Sequence, residues 1–237
     1  MVDRLKYHLK QGRLKAVSRG VYAVVPLGSD AQRFRPDPFL VASAVRPDGV
    51  FSYHSALELL GAAHSVWTQI TLFTSHRRRT ILLEGASFRF LETPHAMQTP
   101  SRGHLGTRNV ERHGKLLEVT GPERTLVEGF RRPALAGGLE ELVASAGGFA
   151  TLDLDLLIEI LKRYRTARIW AAVGWFLECF RSDFHVRDEL LGRIEQEKPR
   201  VPQYIERKSR GGVLMARWNL ILPQTLARPG EPDEPRP

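Results

Sequence analysis

The 237-residue sequence holds a single cysteine, Cys179, so no internal disulfide can form and no zinc or iron–sulfur site can be built from clustered thiolates. A reducing compartment is expected. No run approaches the roughly 20 unbroken apolar residues that a membrane-spanning helix needs. The stretch from Met1 to Lys15 is charged from its start and has no apolar signal core. The sequence therefore predicts a cytoplasmic protein with no membrane partner. The eight histidines show neither H-x-H nor H-x-x-x-H spacing, and HExxH is absent. Also missing are GxxxxGK[ST], a GxGxxG after a strand, and GxSxG. On these grounds no metal, cofactor or catalytic residue is assigned, and a non-enzymatic role is expected. With 42% hydrophobic and 26% charged residues, the chain can build a core for one large or two small domains.

Charge is the abundant feature. Thirty-five Lys and Arg against 26 Asp and Glu leave a formal net charge of +9, which fits an anionic partner or a generally arginine-rich composition. Its distribution is uneven. Residues 1–25 carry Arg4, Lys6, Lys10, Arg13, Lys15 and Arg19 against Asp3 alone, and Arg77, Arg78 and Arg79 form a second basic run. The remainder is nearly neutral.

Apolar spacing predicts a fold of the α+β class. Val2, Leu5 and Leu9 share one face of a helix over 2–11 that Gly12 ends, with Asp3, Arg4, Tyr7, Lys10 and Gln11 opposite. Residues 14–25 alternate around 18–20 as a hairpin, closed by Pro26. A polar connection over 27–37 is the first domain boundary. Pro38 to Val45 reads as a helix capped by Asp37, and Val50 to Tyr53 as a strand. Ser55 and Glu58 have the spacing of a capping box for a helix over 56–60. Segments 68–73, 80–83 and 87–91 read as an antiparallel ribbon, and 93–108 as a loop. A strand over 116–119 leads to a second capping box, Thr120 with Glu123, and a helix over 123–130. Helices follow at 138–146, 153–164, 167–180 and 186–197, then a strand over 213–222. The prolines of 225–237 predict a disordered tail.

Each motif has a plain counterpart. A helix showing Arg, Tyr, Lys and Gln beside a basic hairpin can meet base edges while the wing neutralises phosphates. An amphipathic helix and hairpin docked on the main body weigh about equally. The run 77–79 could grip phosphates, but a solvated hairpin tip is the commoner reading. Ser55 is explained by capping, no carboxylate can be paired with His54, and Trp170, Trp175, Phe176 and Phe180 read as core. Glu206 and Lys208 have the E-x-K spacing of metal-dependent nucleases, with Asp183 or Asp188 upstream, a pattern that arises often by chance.

Several segments in order carry a more specific signal: 12–24 (GRLKAVSRGVYAV), 37–43 (DPFLVAS), 52–59 (SYHSALEL), 121–128 (GPERTLVE), 136–141 (AGGLEE) and 217–223 (RWNLILP). Over about residues 4–223 the chain resembles the AbiEi family of antitoxin-type transcriptional regulators of toxin–antitoxin and abortive-infection systems. The resemblance implies a partial winged helix over 1–26, comprising recognition helix and wing. It implies an α/β antitoxin domain over 27–223 with a helical C-terminal part, followed by a tail over 224–237. Its partners would be operator DNA of its own promoter and a nucleotidyltransferase-like toxin. Carried onto this chain, it places Arg4, Tyr7, Lys10, Gln11, Arg13, Lys15 and Arg19 at the DNA. Only Met1 precedes the recognition helix, so the two helices that ordinarily come first are expected either upstream of this start or lost. A protein-binding module acting on a toxin without DNA, and more distantly a metal-dependent nuclease, are the alternatives.

Overall fold

The computed structural model describes residues 2–76, 79–98, 104–206 and 211–227, without the side chains of 2 and 3. It is an α+β fold. The N-terminal unit is helix α1 (Val2–Lys10) followed by a hairpin of β1 (Leu14–Ser18) and β2 (Val21–Val24). Among the described side chains of this unit and the residue that follows it, only Val17 and Val25 are buried. After the connection comes α2 (Pro38–Val45), where the Asp37 carboxylate accepts from the backbone N–H groups of Phe39 and Leu40 and Pro38 starts the first turn. The cap forms as the sequence predicts.

A six-stranded sheet forms the centre, in the order β5 (Ile81–Leu83), β6 (Ala86–Glu92), β4 (Gln69–Thr74), β3 (Val50–Phe51), β8 (Lys115–Thr120), β7 (Thr107–Arg112). The expected antiparallel ribbon is only partly formed. β5 and β6 make a hairpin, but β4 runs parallel to β6 over its whole length. The 93–108 loop is also shorter than expected, since it holds a turn of 3-10 helix at His95–Met97 and its end enters β7.

One sheet face, with Phe51, Ile70, Leu72, Phe88, Phe90, Leu117 and Val119, packs on α2, on α3 (His54–Leu59) and on Val17 of the hairpin. Around α4 (Pro122–Arg131), α5 (Leu139–Gly147), α6 (Leu154–Tyr164), α7 (Ala167–Cys179) and α8 (Asp188–Gln196) lies a second, larger core. These helices match the 3.6-residue apolar period of the sequence. The late strand is broken. β10 (Val213–Met215) turns through a 3-10 segment into β11 (Leu220–Leu222), which pairs in parallel with β9 (Gln203–Tyr204). The tail begins later than 224: Gln224–Leu226 form a 3-10 turn with Leu226 buried, and 228–237 lie outside the described residues.

Neither capping box forms. The Ser55 hydroxyl accepts from the Thr71 backbone N–H of β4, so a tertiary bond replaces the local one. The Glu123 carboxylate accepts from the N–H of Asp153, and the Thr120 hydroxyl pairs with that of Thr125.

Candidate nucleic-acid interface and a buried polar centre

On α1, Arg4, Lys6, Tyr7 and Lys10 are exposed, followed by Gln11 and Arg13. Arg19 is exposed in the two-residue turn of the hairpin, beside Gly20. Among the described residues none of Arg4, Lys6, Lys10, Arg13 and Arg19 makes an ion pair. Five cations thus stand on one small unit with no compensating carboxylate bonded to them.

Lys15 is placed differently. Its side chain is only 16% exposed, and its ammonium bonds Glu84 Oε2 at 2.7 Å and the Phe34 carbonyl at 2.8 Å. Arg35 approaches the same Glu84 oxygen at 3.6 Å. Lys15 therefore ties the wing to the turn between β5 and β6 and is committed inside the molecule. Of the second basic run, Arg79 is exposed, whereas Arg77 and Arg78 lie outside the described residues.

The outer face of the hairpin is apolar. Register pairs Leu14 with Val24 and Ala16 with Tyr22, so these four side chains share a face. Val24 is 75% exposed on it and Tyr22 is also exposed. The alternation of the sequence marks this ribbon, but not which face meets solvent.

A second constellation is buried, and the sequence reading missed it. β3 and β8 are adjacent and parallel, and each leads directly into a helix, so segments 52–59 and 121–128 start their helices side by side. At the first turn Tyr53 has φ 56° and ψ −130°, a conformation costly for a residue with a Cβ. His54 follows, 1% exposed and stacked on Trp67 at 4.8 Å. Its Nε2 lies 3.0 Å from the Ser65 hydroxyl and 3.7 Å from Glu141 Oε1. That carboxylate oxygen also accepts from the backbone N–H groups of His64 and Ser65 and from the Ser145 hydroxyl. Burial raises the Glu141 pKa, but these donors outweigh it and hold the group below the ordinary carboxylate range. Burial pushes His54 down, against the pull of Glu141, so the imidazole is neutral at pH 7. Gly137 has φ 98°, and a Cβ there would come within 2.4 Å of Glu141 Cγ and 3.3 Å of His54 Cδ2, so segment 136–141 needs glycine where Glu141 closes on the ring.

On α4, Arg124 Nε bonds Glu128 Oε1 at 2.9 Å with both side chains buried, and the Tyr164 hydroxyl donates to the same oxygen at 2.6 Å. Burial, with Glu128 second, raises the Tyr164 pKa; the same two causes push Tyr53 up to about 12. Both phenols stay protonated. The centre joins three of the sequence segments. It fixes the turn after β3 against α5.

The nuclease pattern lies only partly within the described residues. Asp188 pairs with Arg181 at 2.8 Å, and Lys208 lies outside the described residues. Among the described residues no three His, Cys, Asp or Glu side chains gather as metal ligands. No helix among them is long and apolar enough to cross a membrane.

The fold resembles that of a solved structure, the crystal structure of the RV2827C protein from Mycobacterium tuberculosis. The TM-score is 0.62 at 17% identity, over 93% of this chain and 78% of that one. At that identity the likeness concerns the fold. No family model matches the chain, and no curated protein does.

Proposed function

We propose that this protein is an antitoxin-type transcriptional regulator. It binds DNA of its own promoter through residues 2–25 and, through the body from residue 27, counteracts a nucleotidyltransferase-like toxin. The reading rests on the resemblance to the AbiEi family. Its carrying observation is the set of exposed cations on α1 and the hairpin with no bonded carboxylate. In it, Arg13 and Arg19 contact phosphates while Arg4, Tyr7, Lys10 and Gln11 face the groove. Lys15 leaves the contact list, because Glu84 holds it.

The test is a salt-titrated mobility-shift assay with the promoter region of its own operon. Binding should weaken steeply with salt, since each phosphate contact releases counterions. Absence of binding at low salt, also with a version extended upstream, overturns the DNA half. For the toxin half, co-expression with the neighbouring gene should restore growth.

A second reading has its own observation, the exposed apolar face of Leu14, Ala16, Tyr22 and Val24. Beside it a groove of about 420 Å³ runs between β2 and α2, lined by Phe34, Leu40 and Ala44 among others. Such a face, on a unit that also carries exposed cations, suits an acidic protein surface, and the unit would then act by protein contact alone. Loss of toxin neutralisation on deleting residues 1–25 would favour it.

A further inference from the structure

The β7–β8 hairpin sorts its charges by face. Opposite residues of an antiparallel pair share a side of the sheet, and successive residues alternate between the two sides. Register pairs Arg108 with Val119, Val110 with Leu117 and Arg112 with Lys115. Val119, Leu117 and Val110 belong to the core that α2 and Val17 of the wing also join, so Arg108, Arg112 and Lys115 stand on the face that carries the wing. Glu111 and Glu118, with Asn109, stand on the other face. The hairpin thus shows cations on one side and carboxylates on the opposite one.

The three cations are not equivalent. Arg112 Nε bonds Asp37 at 2.8 Å, and its guanidinium lies 4.5 Å over the Phe39 ring, so this residue is committed to the start of α2. Arg108 and Lys115 are exposed and make no ion pair among the described residues. Between Arg112 and Lys115 the chain turns through His113 and Gly114, and His113 lines the same groove as Val17, Val21 and Tyr22 of the wing. The turn that leads into Lys115 therefore sits across that groove from the basic unit. Arg108 lies four residues back from Arg112 along β7, about 14 Å at the rise of an extended strand.

We propose that this face of the β7–β8 hairpin is a second phosphate-contacting strip, and that Lys115 and Arg108 hold the backbone of the same DNA that α1 and the wing meet. Charge and continuity name the partner. The strip's two unpaired cations stand on the same face of the sheet as the wing, with its own unpaired Arg13 and Arg19. A duplex repeats its phosphates at fixed intervals, so one ligand can satisfy cations spread over a strand and a neighbouring unit. Contacts of this kind fix the position of the protein on the duplex and carry no sequence information. The guanidinium of Arg108 and the ammonium of Lys115 suit that task, and the ladder of six paired residues holds their backbone in place. The inference rests on the DNA-binding reading and extends its footprint from residues 2–25 onto the body.

The test is fluorescence anisotropy on the full chain with two labelled duplexes, one from the promoter region of its own operon and one of scrambled sequence, each titrated at several salt concentrations. Arg108→Ala and Lys115→Ala should each lower the slope of log affinity against log salt by about one, and together by about two, with equal fold-losses on both duplexes. Lys162→Ala, at an exposed lysine on α6, should leave slope and affinity unchanged. The melting midpoints of the variants should match the parent, since neither Arg108 nor Lys115 is bonded through its side chain among the described residues. In a Cys179→Ser background, Lys115→Cys carrying a photoactivated cross-linker should capture the duplex, where Lys162→Cys treated alike does not. Binding that needs Arg13 and Arg19 but is indifferent to Arg108 and Lys115, with no capture from position 115, overturns the strip and leaves the N-terminal reading standing. Binding that needs Arg108 and Lys115 but neither Arg13 nor Arg19 does the reverse. No binding to either duplex at low salt overturns both.

Discussion

His54 and Glu141 lie 87 positions apart in sequence, yet one carboxylate oxygen orders the loop carrying His64 and Ser65, the Ser145 hydroxyl and the imidazole edge. Replacing Glu141 with alanine removes the acceptor of two backbone donors, one at the exposed His64 and one at the half-buried Ser65. The expected loss is about 2–3 kcal/mol, read by urea unfolding, against about 1 kcal/mol for Ser145→Ala, which removes one donor. A second outcome follows from burial of His54, which lowers its folded pKa below the ordinary 6.5. The unfolded chain then binds more protons than the native one in the acid range. This contribution is therefore complete above about pH 6.5 and is lost as pH falls toward the folded pKa. Relative to the parent, His54→Asn should show a flatter stability profile between pH 7 and 5, and an unchanged slope there would exclude His54 as the titrating group. None of this centre was legible as a centre. Ser55 and Glu58 had the spacing of a helix cap, and only the register of β4 shows that Ser55 is engaged by Thr71 instead. Nothing local marks Glu141 as the partner of His54, because the contact is made by packing α3 against α5.

Elements set by local chemistry were the legible ones. Asp37 before Pro38 specifies a helix start from the nearest few residues, and the apolar period of α5 to α8 specifies which face each helix buries. Strand order was not legible, because a run such as Gln69–Thr74 carries no mark that its neighbour will be β6 in parallel rather than β5. For α1 and the hairpin, the sequence showed the cations but not their separation into free and committed groups. That separation gives contrasting mutants. Arg13→Ala and Arg19→Ala should each lower the slope of log affinity against log salt by about one, with a uniform loss across sequences. Lys15→Met should leave that slope unchanged. It instead frees the wing from Glu84, and amide exchange in β1 and β2 should speed up without any change in the helical core. Equal salt slopes for Lys15→Met and Arg19→Ala would contradict the assignment of Lys15.

Across the whole molecule, burial is asymmetric between residues 4–26 and the rest. Among the described residues the helical core draws nothing from 4–26, and the sheet core takes from the hairpin chiefly Val17, with Val21 and Ala23 at its margin. The body should therefore fold without the basic unit, whereas two buried valines cannot hold that unit together alone. The C-terminal limit belongs after 223, because Leu226 is buried and the Thr225 hydroxyl bonds Glu140. A chain of residues 27–227 should unfold cooperatively, less stable than the full chain by roughly 3 kcal/mol for the lost valine burial. Isolated residues 1–26 should give the circular dichroism of an unfolded peptide. A body fragment that unfolds without a cooperative transition would mean that the hairpin is integral to the sheet core. If it folds, its co-expression with the neighbouring gene separates the two halves of the proposed function. Growth rescue without promoter binding assigns toxin neutralisation to the body, and failure of a folded body fragment to rescue assigns it to the basic unit.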